Sequence, residues 1–304
     1  MTKVESNLET TCGYIAIIGT PNVGKSTLIN RLVGTKISIV SQKVQTTRNR
    51  VLGICIEGSA QMVFVDTPGI FRPKRRLERA MVAAAWTGVR NADHVALMVD
   101  AERGKNSDID KIIVKLKKEN IKTDLIINKV DIVKKSILLR LAKTLNESKF
   151  FNKTFMISAK NGDGCQSLLT YFPQSLPKGP WVFPKEQISD MTDRLFAAEI
   201  TREKIFQQLY DELPYSTTVE TENWEILEDT TIRIDQVVYV QRDSQKAIVL
   251  GKKGNRIKSI GINARVELQD IFGCPVQLML FVKVRENWAD DPNRYKDWSL
   301  DFNA

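Results

Sequence analysis

The chain has 304 residues, of which 42% are hydrophobic and 27% charged, and this is enough to bury the cores of about two domains. No apolar run approaches the roughly 20 residues that cross a bilayer, and the segment from Met1 to Thr11 lacks the apolar stretch of a secretory signal. One histidine and four scattered cysteines argue against multi-histidine metal sites and Ser-His or Cys-His nucleophiles, and we expect reduced, mostly buried thiols in a cytoplasmic protein.

The basic charge is concentrated in the front half of the chain. The formal net charge of +9 favours a polyanionic partner. From Trp181 to the end there are 16 basic and 21 acidic residues, a net charge of −5, so the first 180 residues carry +14. The back half therefore has only a local basic cluster.

Short β-rich runs alternate with helical stretches in the front half. The predicted strands are Tyr14–Gly19, Arg50–Ile56, Gln61–Val65, Val95–Asp100, Asp124–Ile127 and Thr154–Ile157. The predicted helices lie near Lys25–Val33, Arg76–Arg90, Ser107–Glu119, Lys135–Glu147 and Gly164–Phe172. This alternation predicts an α/β domain with a mostly parallel sheet and helices on both faces. Only the second and third strands are expected to pair antiparallel, because the connection between them is too short for a crossover. The single histidine, His94, is expected at a strand end.

The strongest motif is Gly19–Ser26, which fits G-x-x-x-x-G-K-[ST] between a predicted strand and a predicted helix. Such a loop wraps a phosphate with inward-pointing amides, and the helix N-terminus adds partial positive charge. We expect Lys25 to reach the β- and γ-phosphates as a catalytic residue, and the Ser26 hydroxyl to bind Mg²⁺. The residues predicted to contact the nucleotide are Gly19, Thr20, Pro21, Asn22, Val23, Gly24, Lys25, Ser26 and Thr27.

A second motif, Asp-Thr-Pro-Gly, ends the predicted strand Gln61–Val65. Asp66 is expected to hold the magnesium shell, and the Gly69 amide to face the γ-phosphate in a catalytic role. The predicted nucleotide contacts here are Asp66, Thr67, Pro68, Gly69 and Ile70. In the loop 45–50 a threonine can complete the Mg²⁺ shell and sense the γ-phosphate. Thr47 is favoured for this catalytic role, but its neighbour Thr46 leaves the choice open.

The sequence Asn-Lys-Val-Asp after an apolar strand indicates guanine. A carboxylate such as Asp131 accepts hydrogen bonds from guanine N1 and N2, whereas adenine would leave it unpaired. Lys129 can lay its stem over the ring, and Ser-Ala-Lys at the end of the next strand should cover the base with a backbone amide. The predicted base-side residues are Asn128, Lys129, Val130, Asp131, Ser158, Ala159 and Lys160.

A proline-rich connector, Phe172–Pro184, separates the two halves. The predicted order after it is a helix (190–213), two strands (216–225 and 231–240), a helix, a Gly-x-x-Gly loop, a helix and a strand (275–284). This order matches an α+β domain of the type II KH fold.

Residues 248–257 carry the KH pattern of an aliphatic pair, Gly-x-x-Gly and an aliphatic residue. Glycines allow close approach of a nucleic-acid backbone, and a hydrophobic groove beside such a loop takes single-stranded bases. Seven basic residues and one acid lie between Arg242 and Arg265, in a half that is net acidic. The predicted RNA contacts are Gly251, Lys252, Lys253, Gly254, Arg256 and Lys258.

The five nucleotide motifs, in this order and spacing, resemble the translation-factor-like branch of small GTPases. Gln-Thr-Thr-Arg at Gln45–Arg48, the single GTPase domain and the KH-like region resemble the bacterial Era family of ribosome-assembly GTPases. The resemblance extends to Leu213–Tyr215 and Asn287–Asp291 and covers nearly the whole chain. It implies an N-terminal tail (1–12), a P-loop GTPase domain (13–176), a linker (177–189), a type II KH domain (190–290) and a C-terminal tail (291–304).

The resemblance also implies a function. It implies hydrolysis of GTP to GDP with Mg²⁺, and binding of 16S rRNA near its 3′ end during 30S subunit assembly and rRNA maturation. It further implies a cytoplasmic protein with a peripheral contact at the inner membrane, and we expect a monomer. Bound GTP would order the segments at Thr47 and Ile70, with the hinge at Pro173–Pro184.

Ile70 stands where Ras-like enzymes carry the glutamine that orients the attacking water, and an aliphatic side chain cannot do this. We therefore expect slow intrinsic hydrolysis that depends on an added group. Asn22 matches a position that helps to bind K⁺ in related families, and it can equally serve only to shape the turn.

Two other functional classes compete with a GTPase switch. In one, GTP only stabilises an RNA chaperone and turnover is incidental. The other is a metabolic kinase or RNA-modifying enzyme, which would need an acceptor base that the motifs do not supply.

Overall fold

The computed structural model describes residues 10–43, 46–210 and 213–304. By its internal contacts the chain forms two compact units. The first unit contains Thr47–Asp190 with the residues up to Ser38 and the C-terminal Trp298–Ala304, and the second contains Ile39–Thr46 and Met191–Asp297. Gln45 of the Gln-Thr-Thr-Arg motif, and residues 1–9 of the predicted N-terminal tail, lie outside the described residues.

The first unit is built on a six-stranded sheet with the order β2-β3-β1-β4-β5-β6. Its strands are β1 (Thr11–Ile18), β2 (Val51–Glu57), β3 (Ala60–Asp66), β4 (His94–Asp100), β5 (Thr123–Asn128) and β6 (Phe151–Ile157). All neighbouring strands pair in parallel except β2 and β3, which form the predicted antiparallel hairpin. The predicted mostly parallel sheet is confirmed, although β1 begins at Thr11, inside the segment expected to be a tail.

The helices that connect these strands are α1 (Lys25–Val33), α2 (Arg76–Arg90), α3 (Ser107–Lys118) and α4 (Lys135–Asn146), and α5 (Cys165–Tyr171) follows β6. The apolar residues of β1, β4 and β5 pack with those of α2, α3 and α4 into one core. His94 begins β4, the predicted strand-end position, and its Nε2 lies 2.7 Å from Asp124 Oδ2.

The segment expected to be a linker, 177–189, is hydrogen-bonded along the first unit. The Pro177 carbonyl accepts from the Cys12 amide at 3.1 Å, and the Ile188 carbonyl accepts from the Ile54 amide at 2.9 Å. Ile54 belongs to β2, an edge strand, and such a contact covers backbone groups that an edge would leave open. Residues 177–189 therefore contact this edge of the first unit, and their role as a linker stays a prediction.

The second unit has the predicted α-β-β-α-α-β order. Its elements are α6 (Asp193–Gln208), β7 (Thr217–Ile226), β8 (Ile232–Val240), α7 (Asp243–Leu250), α8 (Asn255–Phe272) and β9 (Val276–Val284), followed by α9 (Pro292–Asp297). The sheet order is β7-β8-β9, with β7 antiparallel and β9 parallel to β8. Apolar residues of α6, α8 and the three strands form its core.

The C-terminal segment expected to be one tail is divided between the units. Helix α9 belongs to the second unit, whereas Trp298–Ala304 belongs to the first. Trp298 and Leu300 are buried, and the Arg76 guanidinium lies 4.4 Å from the centre of the Phe302 ring. These apolar side chains give the segment a packed position that its sequence position alone does not predict.

The four cysteines are free thiols, of which Cys12 and Cys165 are buried and the other two partly exposed. Within the described ranges, no helix combines the length and apolar character needed to span a membrane.

Candidate functional site

The loop between β1 and α1 has the backbone shape of a phosphate cradle. Gly24, immediately before α1, has φ of 102°, and Asn22 has φ of 64°, both in the left-handed region. A Cβ added to Gly24 would lie 2.4 Å from Nδ2 of Asn128. Both the left-handed backbone and this lack of space therefore favour glycine here. The sequence motif therefore reflects a steric requirement at this position.

Lys25 is buried inside this loop. Its Nζ donates to the carbonyls of Gly19 and Thr20, at 3.4 and 3.3 Å. Burial lowers the pKa of Lys25 to about 8, and the nearby Asp66 carboxylate partly opposes this shift. An ammonium held at such a cost is well suited to an anionic ligand, whose charge would restore its usual pKa.

Three oxygen-bearing side chains meet beside the loop. Ser26 Oγ donates to Asp66 Oδ2 at 2.8 Å and lies 3.0 Å from Thr47 Oγ1. The Thr46 hydroxyl instead donates to the Lys43 carbonyl at 2.8 Å. The geometry thus brings Thr47, and not Thr46, to the serine and the aspartate.

These oxygens fit a hard divalent cation. Asp66 is fully buried, and its Oδ1 has no hydrogen-bond partner within the described part of the chain. Burial raises the pKa of Asp66, while the hydrogen bond from Ser26 and the charge of Lys25 oppose the rise. A buried carboxylate oxygen that accepts no hydrogen bond, next to two hydroxyls, provides the oxygen ligands that Mg²⁺ prefers.

The turn after β3 lies directly against the phosphate loop. The Ile70 amide donates to the Gly19 carbonyl at 2.9 Å, and a Cβ on Gly69 would come within 2.8 Å of the Pro21 nitrogen. The Ile70 side chain is only 7% exposed and packs in the core with Trp86. It offers no polar group to a water molecule at the nucleotide.

Asn128 joins three of the predicted motifs. Its Nδ2 donates to the Val23 carbonyl at 2.7 Å, and its Oδ1 accepts from the Ala159 amide at 2.9 Å. Lys129 has φ of 68°, and its Nζ lies 2.6 Å from Asp100 Oδ2. Asp131 is exposed to solvent. The Ala159 amide is therefore occupied by Asn128, whereas the Asp131 carboxylate is open to a ligand.

These contacts bring the predicted nucleotide residues to one edge of the sheet. The segments 19–27, 66–70, 128–131 and 158–160 follow or end β1, β3, β5 and β6, at the carboxyl ends of the strands. Sequence reasoning missed Asp100, which anchors Lys129, and Arg31, whose guanidinium donates to the carbonyls of Ala159 and Lys160. Asp100 ends an apolar strand as Asp66 does, and that position was the available signal.

The second unit carries a separate glycine loop between α7 and α8. Gly254, immediately before α8, has φ of 75°, and no atom lies within 4 Å of a Cβ added there. Lys252, Lys253 and Lys258 are exposed, whereas Arg256 Nη1 donates to the Ile248 carbonyl at 2.8 Å. The loop therefore offers exposed lysines and open space at Gly254, while Arg256 is partly engaged by the hydrogen bond to α7.

A groove of about 240 Å³ lies beside this loop, between α8 and the edge strand β9. Its lining is aliphatic with two basic side chains: Ile257, Lys258, Gly261, Ile262, Arg265, Leu278 and Leu280. A Cβ on Gly261 would lie 3.4 Å from Leu280 Cδ1. Of these residues only Lys258 belongs to the predicted RNA contacts, although a glycine inside a helix was a usable signal.

A P-loop GTPase domain joined to a type II KH domain is the class that this fold and these two sites define. A family model described as a 50S ribosome-binding GTPase matches residues 14–129, and a KH domain model matches residues 212–289. GTPase Era of Agrobacterium fabrum is 54% identical over 302 residues, 99% of this chain and 95% of that protein. GTPase Era of Mesorhizobium japonicum is 55% identical over 304 residues, 99% of this chain and 98% of that protein. The chain belongs to the GTPase Era family.

Two solved structures agree along nearly the full length. One is Era with MgGDPNP and nucleotides 1506–1542 of 16S rRNA, with a TM-score of 0.90 and 38% identity over 95% of this chain and 98% of that one. The other is a variant of Aquifex aeolicus Era with GDP and aluminium fluoride, with the same TM-score and identity over 95% of this chain and 99% of that one. The predicted family and fold class are confirmed.

Proposed function

We propose that this protein is a GTP-driven switch that binds the 3′ region of 16S rRNA and acts in small-subunit assembly and rRNA maturation. Membership of the Era family makes the chain a GTPase. The observation that carries the proposal is one arrangement: the P-loop, Asp66, Asn128 and Ala159 are joined by direct hydrogen bonds at one sheet edge.

The phosphates and Mg²⁺ are assigned to the cluster around Lys25. Lys25 would hold the β- and γ-phosphates, and Ser26, Thr47 and Asp66 would hold the metal. Support comes from the 3.0 Å and 2.8 Å contacts of Ser26 with Thr47 and Asp66, and from a related Era structure that contains MgGDPNP. When bound, Mg²⁺ supplies positive charge at the phosphate oxygens.

The base is assigned to Asp131, whose exposed carboxylate can accept from guanine N1 and N2. Lys129 would lay its stem over the base, with its ammonium hydrogen-bonded to Asp100. Asn128 holds the loop from inside and is therefore proposed as a positioning residue for the base site rather than a direct partner.

No glutamine is available at position 70 to orient the attacking water, because Ile70 stands there and its side chain is buried in the core. We assign Lys25, Thr47 and the Gly69 amide to stabilising the γ-phosphate as charge develops there. K⁺ remains a proposed second cofactor through Asn22. The left-handed backbone at Asn22 gives the turn-shaping role equal support, because asparagine tolerates that conformation. Comparing GTPase rates in K⁺ and Na⁺ separates the two roles, since equal rates leave only turn shaping.

RNA binding is assigned to the second unit. Exposed Lys252 and Lys253 would contact the phosphate backbone, and the aliphatic groove between α8 and β9 would hold unstacked bases. The related Era structure contains a 16S rRNA fragment, which supports the small subunit as the target. The description of the matching GTPase model instead refers to 50S binding, so both subunits belong in the test.

We propose a monomer that works in the cytoplasm with a peripheral contact at the inner membrane face. The net charge of +14 over the first 180 residues would favour an anionic surface.

The experiment compares wild type with the Lys252→Asp/Lys253→Asp variant. Binding to a 16S 3′-end fragment should weaken at least about tenfold in the variant, because two phosphate contacts become repulsive. GTP affinity should not change. Adding the fragment or 30S subunits should stimulate multiple-turnover hydrolysis by wild type. Hydrolysis that ignores RNA would favour the RNA chaperone class, and selective stimulation by 50S subunits would reassign the target.

A further inference from the structure

The loop that leads to Thr47 is held by a helix of the second unit. Residues Ile39–Thr46 belong to that unit by their contacts, although α1 and β2 on either side belong to the first. The Ile39 side chain is buried in a core cluster with Phe196 and Ile200 of α6. Ile39, at the start of this loop, is thus part of the second unit's core.

Arg202 on α6 grips the main chain at the end of this segment. Its Nη2 donates to the Thr46 carbonyl at 2.6 Å, and its Nε donates to Glu199 Oε1 at 2.7 Å. Arg202 is 1% exposed, and its guanidinium lies 5.2 Å from the centre of the Phe206 ring. A buried, charged and oriented donor makes a hydrogen bond stronger than an ordinary one.

Two further contacts fix the same segment to α6. The Val40 amide donates to Glu203 Oε1 at 2.7 Å. The Lys43 ammonium donates to the carbonyls of Phe206 and Leu209 at the C-terminal end of the helix. Carbonyls at this end have no partner within the helix and attract a cation. Val40, Lys43 and Thr46 are therefore each hydrogen-bonded to α6 or its C-terminal end.

The hydrogen bond from Arg202 to the Thr46 carbonyl constrains Thr47 through a single peptide unit. The Thr46 carbonyl and the Cα of Thr47 lie in the same planar peptide unit, so fixing the carbonyl restricts the position of that Cα. The Thr47 hydroxyl lies 3.0 Å from Ser26 Oγ, the side chain assigned to the metal. Arg202 thus acts on the nucleotide site through Thr46, without touching it.

We propose that Arg202 is a positioning residue of the GTPase site, which holds Thr47 where a triphosphate and its metal require it. This inference rests on the proposed nucleotide site. A threonine of this loop contacts the metal and γ-phosphate in the triphosphate state and is released after hydrolysis. Loss of the Arg202 grip therefore weakens binding of a triphosphate and leaves binding of a diphosphate unchanged.

The test uses the full chain with Arg202→Met, which keeps the stem and removes the donors, and Arg202→Lys, which restores one charged donor. Arg194→Met is the matched control. Arg194 lies on the same helix and donates to the carbonyls of Thr221 and Glu222, both at 3.0 Å, away from residues 39–46. Affinities for fluorescent GDP and for the analogue GMPPNP are measured across a Mg²⁺ titration, together with kcat and KM for GTP.

Arg202→Met should weaken GMPPNP binding about five- to tenfold, the size expected for one charged hydrogen bond. It should also raise the Mg²⁺ concentration required, while GDP affinity stays within about twofold of wild type. Arg202→Lys should recover part of the loss, and Arg194→Met should match wild type.

Unchanged GMPPNP binding in Arg202→Met overturns the proposal, and so does an equal loss for both nucleotides or the same selective loss in Arg194→Met. If Arg202→Met does not fold, Lys43→Ala must give the selective loss, and its absence overturns the proposal. A wild-type protein that binds neither GDP nor GMPPNP would instead contradict the proposed nucleotide site itself.

Discussion

Each of the two glycine loops of this protein ends in a glycine that precedes a helix, but the surroundings of these two glycines differ. Gly24 precedes α1 and Gly254 precedes α8, and both have left-handed backbones followed by a helix. A side chain at Gly24 would meet Asn128 at 2.4 Å, whereas nothing lies within 4 Å at Gly254. Lys25 is buried in the first loop, while Lys252 and Lys253 of the second loop are exposed.

This difference indicates that the burial of a glycine loop determines which kind of anion it can bind. A closed loop with a desolvated lysine binds one compact anion, because its contacts point inward and the site has a fixed size. An open loop with solvated lysines follows a polymer backbone, because nothing limits the length of the ligand. Three substitutions test the comparison, in order of decreasing effect.

Gly24→Ala should have the largest effect. The left-handed backbone and the clash with Asn128 together distort the phosphate loop, so GTP affinity should fall at least about 100-fold. Isothermal calorimetry measures the affinity, and circular dichroism checks that the fold survives. Retention of wild-type GTP affinity would show that the loop is not closed as described.

Gly254→Ala should have a much smaller effect in the second loop. The open surroundings leave only the cost of the left-handed backbone, about 1 kcal/mol, so affinity for a 16S fragment should fall no more than about fivefold. Fluorescence anisotropy measures this affinity, with GTP binding as the internal control. A loss as large as that in Gly24→Ala would remove the distinction between the two loops.

Gly261→Ala should have the smallest effect. It should raise stability and lower RNA affinity. Glycine inside α8 costs helix stability, so alanine should raise the free energy of unfolding by about 0.5–1 kcal/mol. The same methyl group enters the groove beside Leu280 and should weaken RNA binding about threefold. Thermal unfolding and anisotropy on one preparation measure both quantities. An unchanged RNA affinity would show that bases do not enter this groove.

Much of the nucleotide site could be predicted because its chemistry is local in sequence. The segments Gly19–Ser26, Asp66–Gly69 and Asn128–Asp131 each combine a strand end with a turn, and a parallel sheet brings strand ends together. The choice between Thr46 and Thr47 could not be made, since it depends on which hydroxyl turns toward Ser26. The structure favours Thr47, and its role remains a prediction.

Contacts between distant segments were not predictable. The placement of Ile39–Thr46 in the second unit depends on contacts with α6, such as the hydrogen bond between Arg202 and Thr46, which are 156 residues apart in the sequence. The groove between α8 and β9 likewise depends on Leu278 and Leu280, whose strand alternation was visible but whose helix partner was not. The contacts of the proline-rich connector with the first unit were not predicted, because prolines signal breaks in regular structure and carry no information about packing.

We propose that the loop around Lys25 binds a triphosphate and that the Asp131 carboxylate selects its base. Calorimetry on nucleotide-free protein with GTP and with ATP, each in Mg²⁺, tests it directly. We expect GTP to bind at least about 100-fold more tightly than ATP, because adenine would leave the Asp131 carboxylate without hydrogen-bond donors. Equal affinity for the two nucleotides, or no binding of either, would contradict it.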